Sequence, residues 1–275
     1  MPTIEPFLRW AGGKTWLIPY LPLIIGNIRI NHYHEPFLGG GAVFFALEHH
    51  RKSYLSDANG QLINAYIQIR DNPDSVIDCL VKFHNTEEEY YRIRDHFSPQ
   101  SAEESAAQFI FLNQTSYNGL FRVNRQGKYN VPYGFRKTWH YDIDRIFEAS
   151  KKLHNTHIST GDFEVNRHRI QESDLVFLDP PYTVSHNNNG FIEYNKNLFS
   201  LEDQERLSRF IDYIKKKNAY YILTNAAHEG IRKIFTKEGD RILELRRNSL
   251  IGGRNAARSE ISEYIFTNIP EVDHE

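Results

Sequence analysis

Leu175-Val176-Phe177-Leu178-Asp179-Pro180-Pro181-Tyr182 is the stretch that decides the fold. An apolar run halted by two prolines reads as a buried parallel strand, because proline has no amide hydrogen with which to continue the ladder. Asp179 then stands at the carboxyl end of a strand, which is where open α/β sheets bind ligands. Its carboxylate and the Pro180 carbonyl are two acceptors, and the prolines restrict the backbone around both. Tyr182 adds an aromatic face. Two acceptors and a ring suit the exocyclic amine of a nucleobase, which offers two N–H donors and a flat π surface. The bland alternative is an ordinary Pro-Pro turn, so the tetrad draws its weight from the rest of the chain.

Working outward, His32 to Ala42 contains Glu35-Pro36-Phe37-Leu38-Gly39-Gly40-Gly41 and is followed by apolar Val43, Phe44, Phe45 and Leu47. This reads as strand, glycine loop and helix, the opening of a Rossmann-like unit. A dinucleotide fingerprint wants a third glycine where Phe44 stands, which disfavours NAD and FAD. Ser53-Tyr54-Leu55-Ser56-Asp57 reads as a second strand ending in an acid, the usual place to grip ribose hydroxyls; alone, Asp57 is equally a turn or helix-cap residue. Gly13-Lys14-Thr15 invites a phosphate-loop reading, but Leu8 occupies the position that needs a glycine. Gln61 to Leu112 carries helical periodicity broken at Asn72-Pro73, and its apolar positions read as core. A helix is expected near Asp142 to Leu153, a short strand and turn at Ile158 to Phe163, a helix over Leu201 to Lys217, and strands at Tyr220 to Asn225 and Ser262 to Thr267.

With 275 residues, 40% hydrophobic and 25% charged, the chain has ordinary globular composition, and its net charge of −2 excludes a generally basic protein. The single Cys79 excludes an internal disulfide and a cysteine metal site. No apolar run of spanning length and no signal-like start occur, so a cytoplasmic protein without a membrane partner is expected. Against that acidic background, Asn113 to His140 contains no Asp or Glu but carries Arg122, Arg125, Lys128, Arg136 and Lys137. Tyr117, Phe121, Tyr129, Tyr133, Phe135 and Trp139 are interleaved with them, and Asn113, Gln114, Asn118 and Asn124 add amides suited to adenine edges. Such a stretch is a local footprint for phosphate backbones, although a charge run is usually only a solvated face. Leu245 to Ser259, with Arg246, Arg247, Arg254 and Arg258 around Gly252-Gly253, reads as a second DNA-facing loop or else as a flexible hairpin. The polar loop from Ser185 to Asn197 reads as a lid or a plain surface loop.

Taken together, Phe7-Leu8-Arg9-Trp10-Ala11-Gly12-Gly13-Lys14, the run from Glu35 to Gly41, Ser116-Tyr117-Asn118-Gly119-Leu120, Asn130-Val131-Pro132-Tyr133-Gly134 and the tetrad resemble the Dam family (D12 class) of DNA adenine-N6 methyltransferases, in that family's order and over nearly the whole chain. The resemblance implies a Rossmann-like S-adenosylmethionine-dependent α/β sheet formed by residues 1–70 and 151–275, with an inserted, mainly helical DNA-recognition subdomain at 71–150. It implies a cofactor set of Trp10, Ala11, Gly12, Lys14, Glu35, Pro36, Phe37, Gly39, Gly41, Asp57, Asp162, Phe163 and Asp179. Catalysis falls to Asp179, Pro180, Pro181 and Tyr182, with no metal. DNA contacts fall to Arg9, Tyr117 as a wedge, Asn118, Leu120, Arg122, Asn124, Arg125, Lys128, Pro132 and Arg136; Arg9 stands where members commonly carry Lys. The implied activity is methylation of a flipped-out adenine in double-stranded DNA by a monomer, solitary or paired with a separately encoded restriction endonuclease. Cytosine-N4 transfer and a non-catalytic cofactor-sensing DNA binder are the alternatives. Cytosine-C5 transfer is excluded, since it needs a cysteine nucleophile and Cys79 lies far from the tetrad in sequence.

Overall fold

The structure is a computed structural model that describes residues 4–48, 51–124, 126–136, 140–182, 199–248 and 260–271. Seven strands form one mixed, mostly parallel sheet in the order β3-β2-β1-β4-β5-β7-β6, the Rossmann-like arrangement expected from the sequence. They are β1 (His32–Glu35), β2 (Lys52–Asp57), β3 (Thr156–Thr160), β4 (Leu175–Leu178), β5 (Tyr220–Ala226), β6 (Arg241–Asn248) and β7 (Glu260–Thr267). The chain groups into two compact units, one comprising Met1–Ile18, Leu38–Glu48 and Ser53–Val165, the other Pro19–Phe37, His49–Lys52 and Asn166–Glu275.

In the first unit β2 pairs in parallel with β3, from Ser53 opposite Thr156 to Asp57 opposite Thr160. The expected helical region resolves into α3 (Gly60–Asp71), α4 (Pro73–Leu80), α5 (Glu87–Asp95) and α6 (Ala102–Thr115), with α7 (Ile143–Leu153) beyond the recognition segment; α1 (Leu21–Ile25) and α2 (Ala42–Ala46) precede them. Their starts are written in the sequence. Asn59, Thr86, Ser101 and Asp142 each turn a side-chain oxygen onto free amides of the first turn. Pro73 both ends α3 and opens α4, where its missing amide costs nothing. Helix α6 buries Ala106, Ala107, Phe109, Ile110, Phe111 and Leu112 and so forms the unit's apolar spine. Its last turn includes Asn113 to Thr115, residues the sequence reading placed on a DNA-facing surface. There the helical register outweighs composition, and Asn113 is buried.

In the second unit β4 lies between β1 and β5, parallel to both, and all four of its residues are buried, as its unbroken apolar run requires. Asp174, at the foot of β4, accepts hydrogen bonds from the His32 and Gln171 amides, the Asn31 side chain and His34. Helix α8 (Leu201–Lys216) opens on a capping box between Ser200 and Asp203, and α9 (Glu229–Phe235) follows β5. Strand β7 runs antiparallel to both β5 and β6. Leu245 to Asn248 therefore belongs to β6, paired with Ser262, Glu263 and their neighbours, and not to a loop. Alternation of Ile242, Leu243 and Leu245 with charged residues is too irregular to betray that strand by pattern. Arg125, Lys137, Trp139, the expected lid from Ser185 to Asn197, and Arg254 and Arg258 lie outside the described residues.

Candidate active site

Each of the strands β1, β2, β3 and β4 ends at or within two residues of an acid: Glu35, Asp57, Asp162 and Asp179. Carboxyl ends of parallel strands are the ligand-binding edge of such sheets.

In the first unit the glycine loop is clamped from three directions. Gly39 and Gly41 have φ of 46° and 66°, a left-handed backbone that glycine adopts without penalty. The Gly39 amide donates to Asp57 Oδ2 at 3.0 Å, and the Gly39 carbonyl accepts from the Tyr66 hydroxyl at 3.1 Å. The Trp10 side chain lies so close to the loop that a Cβ on Gly39 or Gly40 would come within 2.8 Å of Trp10 atoms. Asp57 also accepts the Asn59 amide at 2.9 Å. Burial pushes its carboxyl upward, while the amides of Gly39, Asn59 and Ala58 pull the other way. Trp10 also carbonyl-bonds the Gly13 amide across a turn containing half-buried Ala11 and exposed Gly12, and buried Lys14 donates to the Gly12 carbonyl at 2.9 Å. Asp162 is exposed, its carboxylate accepting the Glu164 amide, and the adjacent Phe163 is buried.

The same unit holds the segment expected from the sequence to face DNA. Arg9 and Asn113 bond reciprocally, amide to side-chain oxygen at 2.9 Å and side-chain amide to carbonyl at 2.6 Å. The half-buried Arg9 guanidinium faces the carbonyls of Gln114 and Ser116, and Arg136 shares the Gln114 carbonyl. Burial, then the Arg136 charge, lowers the Arg9 pKa. Phe121 stacks on Trp10 with centroids 6.1 Å apart and an 18° interplanar angle. Tyr117 is 45% exposed, beside Asn118, whose φ is 54°. Asn124 holds a hairpin turn through the amides of Gln126 and Lys128, so its side chain is engaged locally. Exposed Arg122 bonds Asn130, exposed Lys128 lies in the same hairpin, Leu120 is half-buried and Pro132 is exposed.

In the second unit the tetrad leaves β4 with Asp179 and Tyr182 partly accessible and Pro180 buried. The Thr224 hydroxyl, from β5, donates to Asp179 Oδ1 at 2.8 Å. The Tyr182 hydroxyl donates to Glu263 Oε2, on β7, at 2.5 Å. Burial, with Asp179 and Glu263 adding to it, pushes the Tyr182 phenol well above its ordinary range, so it stays a neutral donor. Glu35 is buried and accepts the Tyr33 hydroxyl at 2.8 Å, Pro36 is buried, and Phe37 meets Phe199 edge-on at 5.7 Å. Sequence reasoning gave no role to Thr224, Glu263 or Tyr66. Thr224 lies inside β5, and Glu263 and Tyr66 are isolated residues in apolar elements, so none of the three carries a local signal.

Comparison with known proteins gives one consistent result. Residues 10–249 match the family model described as D12 class N6 adenine-specific DNA methyltransferase. Type II methyltransferase M1.LlaDCHI of Lactococcus lactis subsp. cremoris is 33% identical over 275 residues, covering 96% of this chain and 95% of that protein. Type II methyltransferase M.MjaIII of Methanocaldococcus jannaschii is 36% identical, covering 81% and 84%. The DNA adenine methylase of Escherichia coli is 27% identical, covering 97% and 96%.

Proposed function

This chain belongs to the D12 class of N6 adenine-specific DNA methyltransferases, and from that premise we propose how its residues divide the reaction. The methyl donor is S-adenosylmethionine, the substrate is an adenine flipped out of duplex DNA, and the protein acts as a monomer, solitary or paired with a restriction endonuclease. The observation that carries this reading is Asp179 at the carboxyl end of β4, partly accessible and held by the Thr224 hydroxyl.

The acids at the strand ends of each unit suit the cofactor. Ribose hydroxyls, a methionine ammonium and an adenine amine are all hydrogen-bond donors, and Asp57, Glu35 and Asp162 are acceptors. The left-handed backbone at Gly39 and Gly41 supports a seat in which no side chain intervenes. Trp10, Ala11, Gly12, Lys14, Pro36, Phe37 and Phe163 complete it. When bound, S-adenosylmethionine supplies an electrophilic methyl group on a positively charged sulfur.

The remaining work is done by the tetrad. Adenine N6 is a poor nucleophile because its lone pair is delocalised into the ring. Asp179 and the Pro180 carbonyl each accept one N6–H, which favours pyramidal geometry and frees that lone pair; Pro181 fixes the turn. Tyr182 stacks on the flipped base. Positioning and fixed charge can supply most of the acceleration. Flipping costs on the order of a few kcal/mol, offset by contacts from the subdomain at 71–150, with Tyr117 as the wedge, Asn118, Leu120 and Pro132 at base edges, Arg122, Arg125, Lys128 and Arg136 on base or phosphate and Asn124 holding their hairpin, and by Arg9 from the N-terminal segment. Among the described residues no helix is long and apolar enough to cross a membrane.

Duplex DNA incubated with cofactor carrying an isotopic label in the methyl group tests the reading. Label recovered as N6-methyladenine is expected. Label on cytosine N4, or DNA binding without transfer, overturns it.

A further inference from the structure

Two buried side chains outside the tetrad hold its first and last residues. Thr224 and Ala226 lie on one face of β5, and Glu263 pairs directly with Ala226 across the β5–β7 ladder, so Thr224 and Glu263 share that face of the sheet. Thr224 is fully buried and Glu263 is 1% exposed. Each reaches one end of the tetrad, Thr224 to the Asp179 carboxylate at 2.8 Å and Glu263 to the Tyr182 hydroxyl at 2.5 Å. A carboxylate taken out of water is an expensive way to build a core, since desolvation costs several kcal/mol per ion and an apolar side chain of similar volume is often as stabilising. Neither partner's bond is needed to form the strands, whose ladders are made by backbone.

We propose that Glu263 and Thr224 are positioning residues for methyl transfer: Glu263 fixes the direction and position of the Tyr182 ring by tethering its hydroxyl, and Thr224 fixes the rotamer of the Asp179 carboxylate. This rests on the tetrad carrying the reaction. Tyr182 is anchored at both its Cα and its hydroxyl, so the place of its ring is set before a base arrives, and the ordering cost is met on folding and not on binding. Burial, with Asp179 and Glu263 adding to it, raises the phenol pKa and so favours the tether's proton on Tyr182. Asp179, held through Oδ1, presents its carboxylate in one orientation to the amine. Misplacing a reacting group by about 1 Å can cost about a hundredfold in rate.

Single-turnover methyl transfer at saturating DNA and cofactor, alongside dissociation constants for both, reads the effect. Wild-type turnover is measured first, so a failure of the enzyme reading itself is visible before any variant is compared. Thr224→Val, which keeps shape and removes the hydroxyl, is expected to lower the rate at least about tenfold while both dissociation constants stay within about threefold; Thr224→Ser restores it. Glu263→Leu and Tyr182→Phe are each expected to lower the rate about tenfold, with the double variant no slower than either alone, and Glu263→Gln, which keeps an acceptor oxygen at the same reach, recovers most of it. Wild-type rates in Thr224→Val and Tyr182→Phe overturn the proposal, and need no fold tolerance at Glu263. So do additive losses in the double variant, or losses confined to the dissociation constants.

Discussion

The tetrad and the recognition segment are held by opposite means. Asp179 and Tyr182 are fixed by side chains arriving from strands 45 and 81 residues away in sequence. Between Asn118 and Asn130 the bonds are instead local in sequence: Arg122 donates to Asn130, and Asn124 accepts from the amides of Gln126 and Lys128. One region spends buried side chains to fix an orientation; the other leaves cations at the surface on a scaffold of turns. Chemistry on one amine demands fixed angles, whereas phosphate contacts tolerate displacement and are governed by charge.

Variants in the two regions are expected to separate cleanly. The largest effect is expected from Asp179→Ala, which removes the charged acceptor at the amine: single-turnover methylation falls about a thousandfold or more, while duplex binding measured by fluorescence anisotropy stays within about threefold. A parallel collapse of binding would break the contrast. Next comes Gly39→Ala, where the new Cβ meets the Trp10 ring at 2.8 Å on a left-handed backbone. Strain of about 1–3 kcal/mol is expected to weaken cofactor affinity by about tenfold or more, read by calorimetry, with little change in DNA affinity. Arg122→Ala and Arg136→Ala sharpen the other side: each weakens duplex binding several-fold and reduces the slope of log affinity against log salt by about 0.9, leaving the rate at saturating DNA within about twofold. Unchanged slopes would move the phosphate contacts elsewhere.

The smallest effect concerns the foot of the second unit. Burial, opposed by the bond to Asp174, lowers the His34 pKa below its ordinary 6.5, with the charges of His32 and Arg169 adding to the fall. The unfolded chain then binds this proton more readily than the folded one, so stability held above pH 6.5 declines as pH falls through the lowered value. Thermal melts from pH 7.5 to 5.5 are expected to show that decline, with a shallower slope in His34→Gln. Duplex affinity of arginine contacts should not follow it.

The contrast also explains what could be read from the sequence. Strand β4, the glycine loop, the helix caps and the acids at Asp57 and Asp179 announce themselves within a few neighbouring residues, because turn chemistry and strand ends are local. The helical content of 60–115 was equally plain from its period. Strand β6 was missed where its charged residues obscured alternation, and Asn113 was misread because composition says nothing of which helix face is buried. Glu263 and Thr224 were invisible for a deeper reason: their partners are fixed only when β5 and β7 come together, and no spacing in the chain encodes that register.

Gly39, pinned by a carboxylate on its amide and a phenol on its carbonyl, has a kinetic consequence. A loop with little freedom left to lose need not rearrange when the methyl donor arrives, so capture is governed by encounter and discrimination by residence time. Donor and spent product would then enter at similar speeds, and what distinguishes them is how fast each departs.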